Sequence, residues 1–285
     1  MKFLITGANG QLAKEFPEYL KDFGHEFCSF DRENLDISNI DSVLEKIENN
    51  KPDIVLNCAA YNFVDRAEDD YETALRVNAE GVMNLAIACK KNNTMLVHYS
   101  TDYIFDGLKK DFYNEDDEPN PLNKYGQSKL LGEKYLQDTM SDFLLFRVSW
   151  VFGGGRQNFL SKLLDWAKNN KVLNIVCDQI SIPTYTKDIV SLTLFAINKR
   201  LRGIYHLTNS GYASRYEVAR YFIEHSGLEN LVLPANSKDF PSSAKRPFFS
   251  AMSNKKLSEA LNVEIPDWRT GIDRYIETIY KKEDI

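Results

Sequence analysis

The chain opens with the stretch KFLITGANGQLA, residues 2–13, and this stretch decides the fold. Lys2–Thr6 is a short apolar run of the kind that forms a buried strand. Gly7 and Gly10 follow it, and a helix-period pattern then covers Gln11–Asp22. Glycines between a strand and a helix let the backbone turn tightly and approach a phosphate, while the helix N-terminus offers unpaired N–H groups. We therefore expect a dinucleotide-binding loop here.

Short apolar runs alternate with helix-period segments through the first half of the chain. The sequence predicts strands at Lys2–Thr6, Glu26–Phe30, Asp53–Cys58, Met95–Ser100 and Phe143–Val148. It predicts helices at Gln11–Asp22, Ile40–Asn49, Tyr71–Lys91 and Tyr125–Asp138, with Pro17 expected to kink or shorten the first. Such alternation indicates an α/β fold with a Rossmann-type, doubly wound parallel sheet.

After about Trp150 the pattern becomes rich in turns, and helices are predicted at Ser214–Ser226 and Trp268–Lys282. We expect a smaller C-terminal substrate-binding lobe there. The dinucleotide-binding Rossmann domain is predicted over residues 1–150 and completed by parts of 157–205, whereas 206–285 form mainly the second lobe. The boundary is expected to be discontinuous.

The composition excludes several classes of function. The chain has 285 residues, 43% of them hydrophobic, which suffices for a sizeable core, and its net charge of −6 argues against nucleic-acid binding and a basic membrane-binding face. No apolar run reaches the roughly 18 residues that span a bilayer, and the first run is too short for a signal peptide, so we expect a cytoplasmic protein, monomeric or homodimeric. The four cysteines and four histidines are dispersed, which predicts reduced thiols and no metal site.

The end of the second predicted strand bears on the choice of dinucleotide. Asp31 lies roughly twenty residues beyond the glycine loop, where a carboxylate accepts hydrogen bonds from an adenosine ribose. An acid at this position favours NADH because it repels a 2′-phosphate, whereas Arg32 next to it attracts one. The choice between NADPH and NADH therefore stays open.

Tyr125 and Lys129 form a Y-x-x-x-K pair at the start of a predicted helix. Because positions i and i+4 share one face, we expect the ammonium to lie near the phenol and to lower its pKa from about 10 toward neutrality. Tyr125 would then act as a general acid. Thr101, which we favour over Ser100, follows a predicted strand, where its hydroxyl would face the cleft and bond a substrate carbonyl.

Sequence blocks spread over nearly the whole chain resemble those of the dTDP-4-dehydrorhamnose reductase family. The most specific block is STDYIFDG at residues 100–107. Other matching blocks are the glycine loop with Gln11-Leu12, LDIS at 35–38, NCAAY at 57–61, Tyr125–Lys129, RVSW at 147–150, GIYHL at 203–207 and the RP pair at 246–247. The chain departs from the family at Ala13 and Ser181, where glycine is usual, and at Asn62, where threonine is usual. Ser181 is expected to lie in a loop that faces the nucleotide.

This resemblance implies an extended short-chain dehydrogenase that uses NADPH or NADH to reduce the C4 keto group of a dTDP-linked 6-deoxyhexulose, completing dTDP-L-rhamnose for surface polysaccharide. Carried over by position, it implies Thr101, Tyr125 and Lys129 as the catalytic set. The cofactor contacts, including those argued above from the motifs, are Gly7, Gly10, Gln11, Leu12, Asp31, Arg32, Asp36, Ile37, Ala59, Ala60, Tyr61, Tyr125 and Lys129. The sugar contacts implied are Thr101, Asp102 and Trp150. For the diphosphate of the sugar nucleotide, the nearest local donors are Lys245 with Arg246, or Asn158 with Arg156.

Two alternative functions remain open. A sugar-nucleotide dehydratase or epimerase shares the fold and the tyrosine–lysine pair, but dehydratases that resemble this chain carry Thr-Asp-Glu where this chain has Thr101, Asp102 and Tyr103. A non-catalytic NADP-binding regulatory subunit also shares the fold. The intact set of Thr101, Tyr125 and Lys129 counts against that alternative, and a turnover assay separates the two.

Overall fold

The computed structural model describes residues 1–155 and 157–280, in which strands and helices alternate. In chain order the strands are β1 (Lys2–Thr6), β2 (Glu26–Phe30), β3 (Ile54–Asn57), β4 (Met95–Thr101), β5 (Phe143–Val148), β6 (Val151–Phe152), β7 (Val172–Val176), β8 (Ile180–Ser181), β9 (Thr184–Tyr185), β10 (Gly203–His206), β11 (Ala213–Ser214) and β12 (Leu231–Ala235). The helices are α1 (Phe16–Asp22), α2 (Ile40–Asn50), α3 (Arg66–Asp69), α4 (Tyr71–Leu75), α5 (Gly81–Lys91), α6 (Lys124–Thr139), α7 (Phe159–Asn169), α8 (Thr186–Asn198), α9 (Arg215–Ser226), α10 (Lys255–Leu261) and α11 (Trp268–Tyr275).

A six-stranded parallel sheet forms the centre of the molecule, with the strand order β2-β1-β3-β4-β5-β10. The prediction of a doubly wound parallel sheet is confirmed. β3 is one residue shorter at each end than the strand predicted at residues 53–58, and β4 is one residue longer at its C-terminal end than the strand predicted at residues 95–100. All seven residues of β4 are buried, because a strand in the middle of a parallel sheet is covered on both faces.

Helices cover both faces of this sheet. On one face, α1, α8 and α10 contribute side chains such as Phe16, Ile189 and Leu257 to a single apolar cluster. On the other face, α2, α5 and α6 contribute side chains such as Val43 and Leu85. Because α8, β10 and α10 come from the second half of the chain, that half returns to complete the central sheet and its cover.

The first helix is shorter than predicted. Residues 8–15 form turns, and α1 begins only at Phe16, with Pro17 in its first turn. A helix that started at Gln11 would need the residue-17 N–H to donate to the carbonyl of Ala13, and proline has no N–H. The backbone N–H groups nearest the glycine loop therefore belong to turns rather than to a helix N-terminus.

The helix predicted over Tyr71–Lys91 is present but contains a π-helical turn, Arg76–Glu80, between α4 and α5. Such turns add a residue to the helix and often accompany functional sites. Asn78 lies within this turn and is buried. The irregular turn therefore has a polar side chain directed into the interior rather than toward solvent.

Another apolar cluster lies beside the central sheet, apart from the clusters on its two faces. It combines large side chains that include Phe152, Tyr185, Phe222 and Trp268, with the short strand pairs β6–β9, β7–β12 and β8–β11 around it. Helix α9 begins with a capping box between Ser214 and Glu217. The helix predicted over residues 268–282 begins as α11, and its last residues lie outside the described part of the chain.

Three findings concern residues 1–155 and 157–280 only. No helix there combines the length and the apolar character needed to cross a bilayer. No group of three or more His, Cys, Asp or Glu side chains there is arranged to hold a metal ion. The four cysteines are free, and Cys89 is the one among them that is fully buried.

Candidate active site

The predicted site residues lie where the central sheet changes direction. From β1 the chain proceeds outward to β2, and from the neighbouring β3 it proceeds in the opposite direction to β4. At such a switch point the loops after the strands separate and leave a crevice for a ligand. The glycine loop follows β1, Ala59 and Ala60 follow β3, and Thr101 ends β4, so the sheet brings the three motifs to one edge.

Gly7 and Gly10 form a narrow backbone cradle at this edge. Gly7 has a φ of +65°, and a Cβ on it would lie 2.7 Å from the backbone nitrogen of Ala59. Only glycine adopts this conformation without strain and leaves that space open. The backbone nitrogen of Gly10 donates to the carbonyl of Gly7 at 2.8 Å, which holds the loop tightly curved.

Gln11 connects the glycine loop to the segment that leaves the central sheet after β5. Its Nε2 donates to the carbonyl of Val151 at 3.1 Å, and Nδ2 of Asn158 donates to its Oε1 at 3.4 Å. Leu12, the next predicted cofactor residue, packs against the apolar cluster on the α1 face. Gln11 is thus oriented by two contacts more than 130 residues away in the chain.

Asn78 fixes the predicted cofactor segment after β3. Its Oδ1 accepts from the backbone nitrogen of Tyr61 at 2.8 Å, and its Nδ2 donates to the carbonyl of Tyr61 and to Oγ of Ser128, each at 3.0 Å. Ser128 lies on α6, the helix that carries Tyr125. Asn78 therefore ties the loop after β3 to the helix that carries Tyr125, and the sequence did not predict this role.

Asp31 and Arg32 lie at the solvent-facing end of the crevice. Asp31 accepts from the backbone and side-chain nitrogens of Asn34 at 3.1 and 2.8 Å, and these bonds hold its pKa below the ordinary value. Arg32 is exposed and lies 4.0 Å from Asp36, a weak ion pair that leaves the guanidinium free to meet another anion. Ile37 is buried, and its side chain packs where Gly81 has no Cβ.

Asp102 is a buried carboxyl group held by three hydroxyls. Oγ of Ser181 and Oγ of Ser250 donate to its Oδ2 at 2.8 and 2.6 Å, and Oγ1 of Thr101 donates to its Oδ1 at 3.3 Å. Burial raises the pKa of Asp102, and the hydrogen bonds oppose that rise. The expectation that Ser181 lies in a loop is wrong, because Ser181 belongs to β8 and its fully buried hydroxyl is directed at Asp102.

Tyr125 lies in the first turn of α6. Asn123 caps the N-terminus of this helix, because its Oδ1 accepts from the backbone nitrogen of Gly126 at 2.8 Å. The Tyr125 hydroxyl donates to Oδ1 of Asn62 at 3.4 Å, a long bond. Burial raises the pKa of Tyr125 above its usual value, while the nearby Thr101 hydroxyl acts in the opposite direction. The phenol is therefore protonated at neutral pH.

The expected effect of Lys129 on Tyr125 is wrong in this structure, because the pKa of the phenol is raised, not lowered. Lys129 is 2% exposed, and its Nζ donates to the carbonyl of Tyr99 at 2.7 Å. Although the two side chains start from one face of α6, that face packs on β4, and the long lysine chain reaches the strand. Burial lowers the pKa of Lys129 to about 8.

Trp150 has a φ of +39°, which a bulky residue rarely adopts. The guanidinium of Arg215 lies 3.7 Å from the centre of its ring. Burial lowers the pKa of Arg215 to about 10, and the nearby Tyr103 and Asp102 side chains oppose this. Arg215 is a functional candidate that the sequence did not predict, although a cation in the first turn of a helix is unfavourable with the helix dipole and could have indicated it.

The predicted diphosphate donors have different environments. Nη1 and Nη2 of Arg246 bind Oδ1 and Oδ2 of Asp65 at 3.1 and 2.6 Å, while Lys245 is exposed. Asn158 caps α7 by accepting from the backbone nitrogen of Ser161 at 3.0 Å. Arg156 lies outside the described residues. Of these candidates, Arg246 is a half-buried cation with a fixed position.

Comparisons with known proteins agree with this geometry. The family model described as the RmlD substrate binding domain matches residues 1–281. The dTDP-4-dehydrorhamnose reductase of Burkholderia thailandensis is 38% identical over 95% of this chain and 97% of its own length. The spore coat polysaccharide biosynthesis protein SpsK of Bacillus subtilis is 36% identical over 97% of both chains.

The fold comparison points to the same family. The crystal structure of dTDP-4-dehydrorhamnose reductase from Bacillus anthracis in complex with NADP superposes with a TM-score of 0.93. It is 35% identical, and the match covers 97% of this chain and 99% of that one. The chain, with its glycine loop, its Y-x-x-x-K helix and its STDY strand end at one edge of a doubly wound sheet, belongs to the dTDP-4-dehydrorhamnose reductase family.

Proposed function

We propose that this chain is an NAD(P)H-dependent reductase of the C4 keto group of a dTDP-linked 6-deoxyhexulose. Its proposed reaction converts dTDP-4-dehydro-L-rhamnose to dTDP-L-rhamnose for surface polysaccharide. One observation carries the proposal: the hydroxyls of Tyr125 and Thr101 lie close to each other. They do so at the edge of the sheet that also holds the glycine loop. The relative from Burkholderia thailandensis bears the name of this activity.

The residues present fit a nicotinamide dinucleotide. The Gly7 cradle, which a Cβ would close by approaching Ala59 to 2.7 Å, suits the close approach of a pyrophosphate. The proposed contacts along the dinucleotide are Gly7, Gly10, Gln11 and Leu12, then Asp31, Arg32, Asp36 and Ile37, then Ala59, Ala60 and Tyr61, and finally Tyr125 and Lys129. When bound, NADPH or NADH supplies the hydride for the reduction. The related enzyme from Bacillus anthracis is in complex with NADP.

Tyr125 is the proposed proton donor to the substrate oxygen. Because burial raises the pKa of its phenol, Oη carries its proton at neutral pH, the form that a general acid needs. The bond to Asn62 is long, at 3.4 Å, so a substrate oxygen can replace the amide as acceptor. Thr101 donates to Asp102 across 3.3 Å, also a weak bond, and can turn its proton to the same oxygen. Two hydroxyls then stabilise the developing negative charge.

The sugar and the diphosphate are proposed to lie against the Trp150 side of the crevice. Asp102 and Trp150 would contact the sugar together with Thr101. Arg215 stacks on Trp150, and Arg215 and Arg246 are close enough for each charge to act on Tyr103. Two cations held together in a chain of net charge −6 provide the local positive field that an anionic diphosphate requires.

The division of labour between the lobes is also part of the proposal. Residues 1–150, with parts of 157–205, would bind the dinucleotide, and 206–285 would mainly bind the sugar nucleotide. The apolar cluster around Phe222 and Trp268 is separate from the clusters on the two faces of the sheet, which supports this division. We place the enzyme in the cytoplasm, where NADPH and sugar nucleotides occur, as a monomer or a homodimer.

A turnover assay with purified protein tests the function. The protein is incubated with NADPH or NADH and with dTDP-4-dehydro-L-rhamnose, the nicotinamide absorbance is followed, and the sugar is identified by NMR. We expect oxidation of the cofactor and formation of dTDP-L-rhamnose. A sugar altered without net consumption of the cofactor would indicate a dehydratase or an epimerase. Binding of NADPH without any conversion would indicate a regulatory subunit, and either result would overturn the proposal.

A further inference from the structure

A line of buried polar side chains runs through the sheet and ends at Lys129. Thr6 on β1, Asn57 on β3 and His98 on β4 are each at most 1% exposed. Oγ1 of Thr6 donates to Oδ1 of Asn57 at 2.7 Å, Nδ2 of Asn57 lies 3.0 Å from Nδ1 of His98, and Nε2 of His98 lies 3.5 Å from Nζ of Lys129. Burying four polar groups is costly, so their arrangement must satisfy their hydrogen bonds.

The orientation of the Asn57 amide follows from its neighbours. The backbone nitrogen of Ala59 lies 3.2 Å from Oδ1 of Asn57. A backbone N–H can only donate, so the amide atom that faces it is the oxygen. The NH₂ group of Asn57 therefore faces His98, and an amide NH₂ also can only donate.

The tautomer of His98 follows in turn. Because Nδ1 accepts from Asn57, it carries no proton. Burial holds the pKa of His98 well below its ordinary value, so the ring is neutral and its one proton is on Nε2. Nε2 is the ring atom that faces Nζ of Lys129.

An ammonium group and an Nε2–H are both donors, and two donors facing each other do not form a hydrogen bond. A neutral amine has a lone pair and accepts from Nε2–H, while one of its own protons still serves the carbonyl of Tyr99. The charged group shown to act on Lys129 is Glu133 on α6, whose partner is Arg147 on β5. These two form a buried ion pair at 2.8 Å, which limits the support that Glu133 gives to the ammonium.

We propose that Asn57 and His98 are positioning residues that hold the imidazole in its Nε2–H tautomer and thereby stabilise the neutral amine of Lys129. The lysine then exchanges its proton readily near neutral pH, where a free lysine stays charged. The role of this lysine in turnover rests on the proposed function. A lysine that releases its proton easily can restore the proton that Tyr125 loses at each turnover.

The tautomer and the lysine titration are measured directly by NMR on the protein without substrate. Nitrogen-15 spectra of labelled histidine separate Nδ1–H from Nε2–H, and the signal of His98 is assigned by its loss in His98→Gln or by exclusion with His25→Gln, His206→Gln and His225→Gln. Carbon-13 shifts of labelled lysine Cε follow the titration of Lys129, which is identified by its loss in Lys129→Met.

Asn57→Asp is the decisive variant. A carboxylate keeps the bonds to Thr6 and Ala59 but presents an acceptor to His98, so the imidazole must place a proton on Nδ1 and leave Nε2 free to accept from the ammonium. His206→Gln is the matched control, because His206 is equally buried on β10 and bonds Arg147 rather than Lys129.

We expect His98 in the parent to carry its proton on Nε2, and Lys129 to titrate well below a free lysine. In Asn57→Asp the proton should move to Nδ1 and the titration of Lys129 should rise by about one pH unit or more. In Asn57→Asp combined with His98→Gln, which keeps the new carboxylate but has no imidazole, most of that rise should be lost; an undiminished rise would come from the carboxylate charge alone and would overturn the inference. His206→Gln should change neither. The inference is overturned if the parent carries the proton on Nδ1, a test that does not require Asn57→Asp to fold, or if Asn57→Asp changes the tautomer but not the lysine. Because no turnover is measured, this result is independent of the assay that tests the function.

Discussion

The hydroxyl of Ser181 donates a hydrogen bond to Oδ2 of Asp102 across 2.8 Å. The two residues are 79 positions apart, and the bond joins β8 to the residue that follows β4 of the central sheet. Ser250 donates to the same oxygen from a third segment. Asp102, a proposed sugar contact, is therefore oriented by parts of the chain that meet only in the folded protein.

Removing the Ser181 hydroxyl should weaken the site through Asp102. In Ser181→Ala the charged carboxylate loses one of its donors, so its pKa should rise further and kcat/KM for the sugar nucleotide should fall by about tenfold, as for a lost hydrogen bond to a charged group. Steady-state kinetics across pH measure both effects. Ser258→Ala removes a hydroxyl that donates to the carbonyl of Val263 far from the site and should leave kcat/KM unchanged. Identical pH profiles for parent and Ser181→Ala would refute this role.

Tyr125→Phe should abolish proton donation while it preserves the fold. Only the hydroxyl and its long bond to Asn62 are lost, so cofactor binding should stay near that of the parent and turnover should fall by about 10² or more. NADPH fluorescence measures the binding, and absorbance measures the turnover. Tyr135→Phe, on the same helix, serves as the control and should keep full activity. Retained turnover in Tyr125→Phe would remove Tyr125 from the mechanism.

Arg32→Ala should change the preference between the two cofactors. The guanidinium is 71% exposed at the end of the crevice, and its ion pair with Asp36 is weak, so it can reach a 2′-phosphate. We expect the Michaelis constant for NADPH to rise more than that for NADH. Equal changes in the two constants would show that Arg32 does not meet the phosphate. Arg269→Ala is the control, because Arg269 is an exposed arginine on α11 that pairs with Asp267.

The buried ion pair between Glu133 and Arg147 should matter for stability. Both side chains are at most 4% exposed, so Glu133→Gln leaves a buried guanidinium without its counter-charge and should lower the free energy of unfolding by about 3–5 kcal/mol. Denaturation in urea measures the change. Glu48→Gln breaks the exposed pair with Lys91 and should cost less than about 1 kcal/mol. A similar small loss in both variants would contradict the prediction.

The sequence by itself determined the doubly wound sheet, the place of the glycine loop and the strand end at Thr101. These features depend on local patterns: buried runs such as Lys2–Thr6 are continuous and apolar, and a glycine at position 7 marks the turn that follows. Even the shortening of the first helix was indicated by Pro17, although the residue at which α1 begins was decided by the backbone.

Only the tertiary structure decided what the polar groups of the site contact. The i, i+4 spacing placed Tyr125 and Lys129 on one helix face, but the packing of that face on β4 directed the ammonium to Tyr99 and His98. The contact of Arg215 with Trp150 likewise depends on how segments far apart in the chain dock. Hydrophobic periodicity is a local property that a sequence displays directly, whereas the pKa and partners of a buried polar group depend on distant residues that burial brings within hydrogen-bonding distance.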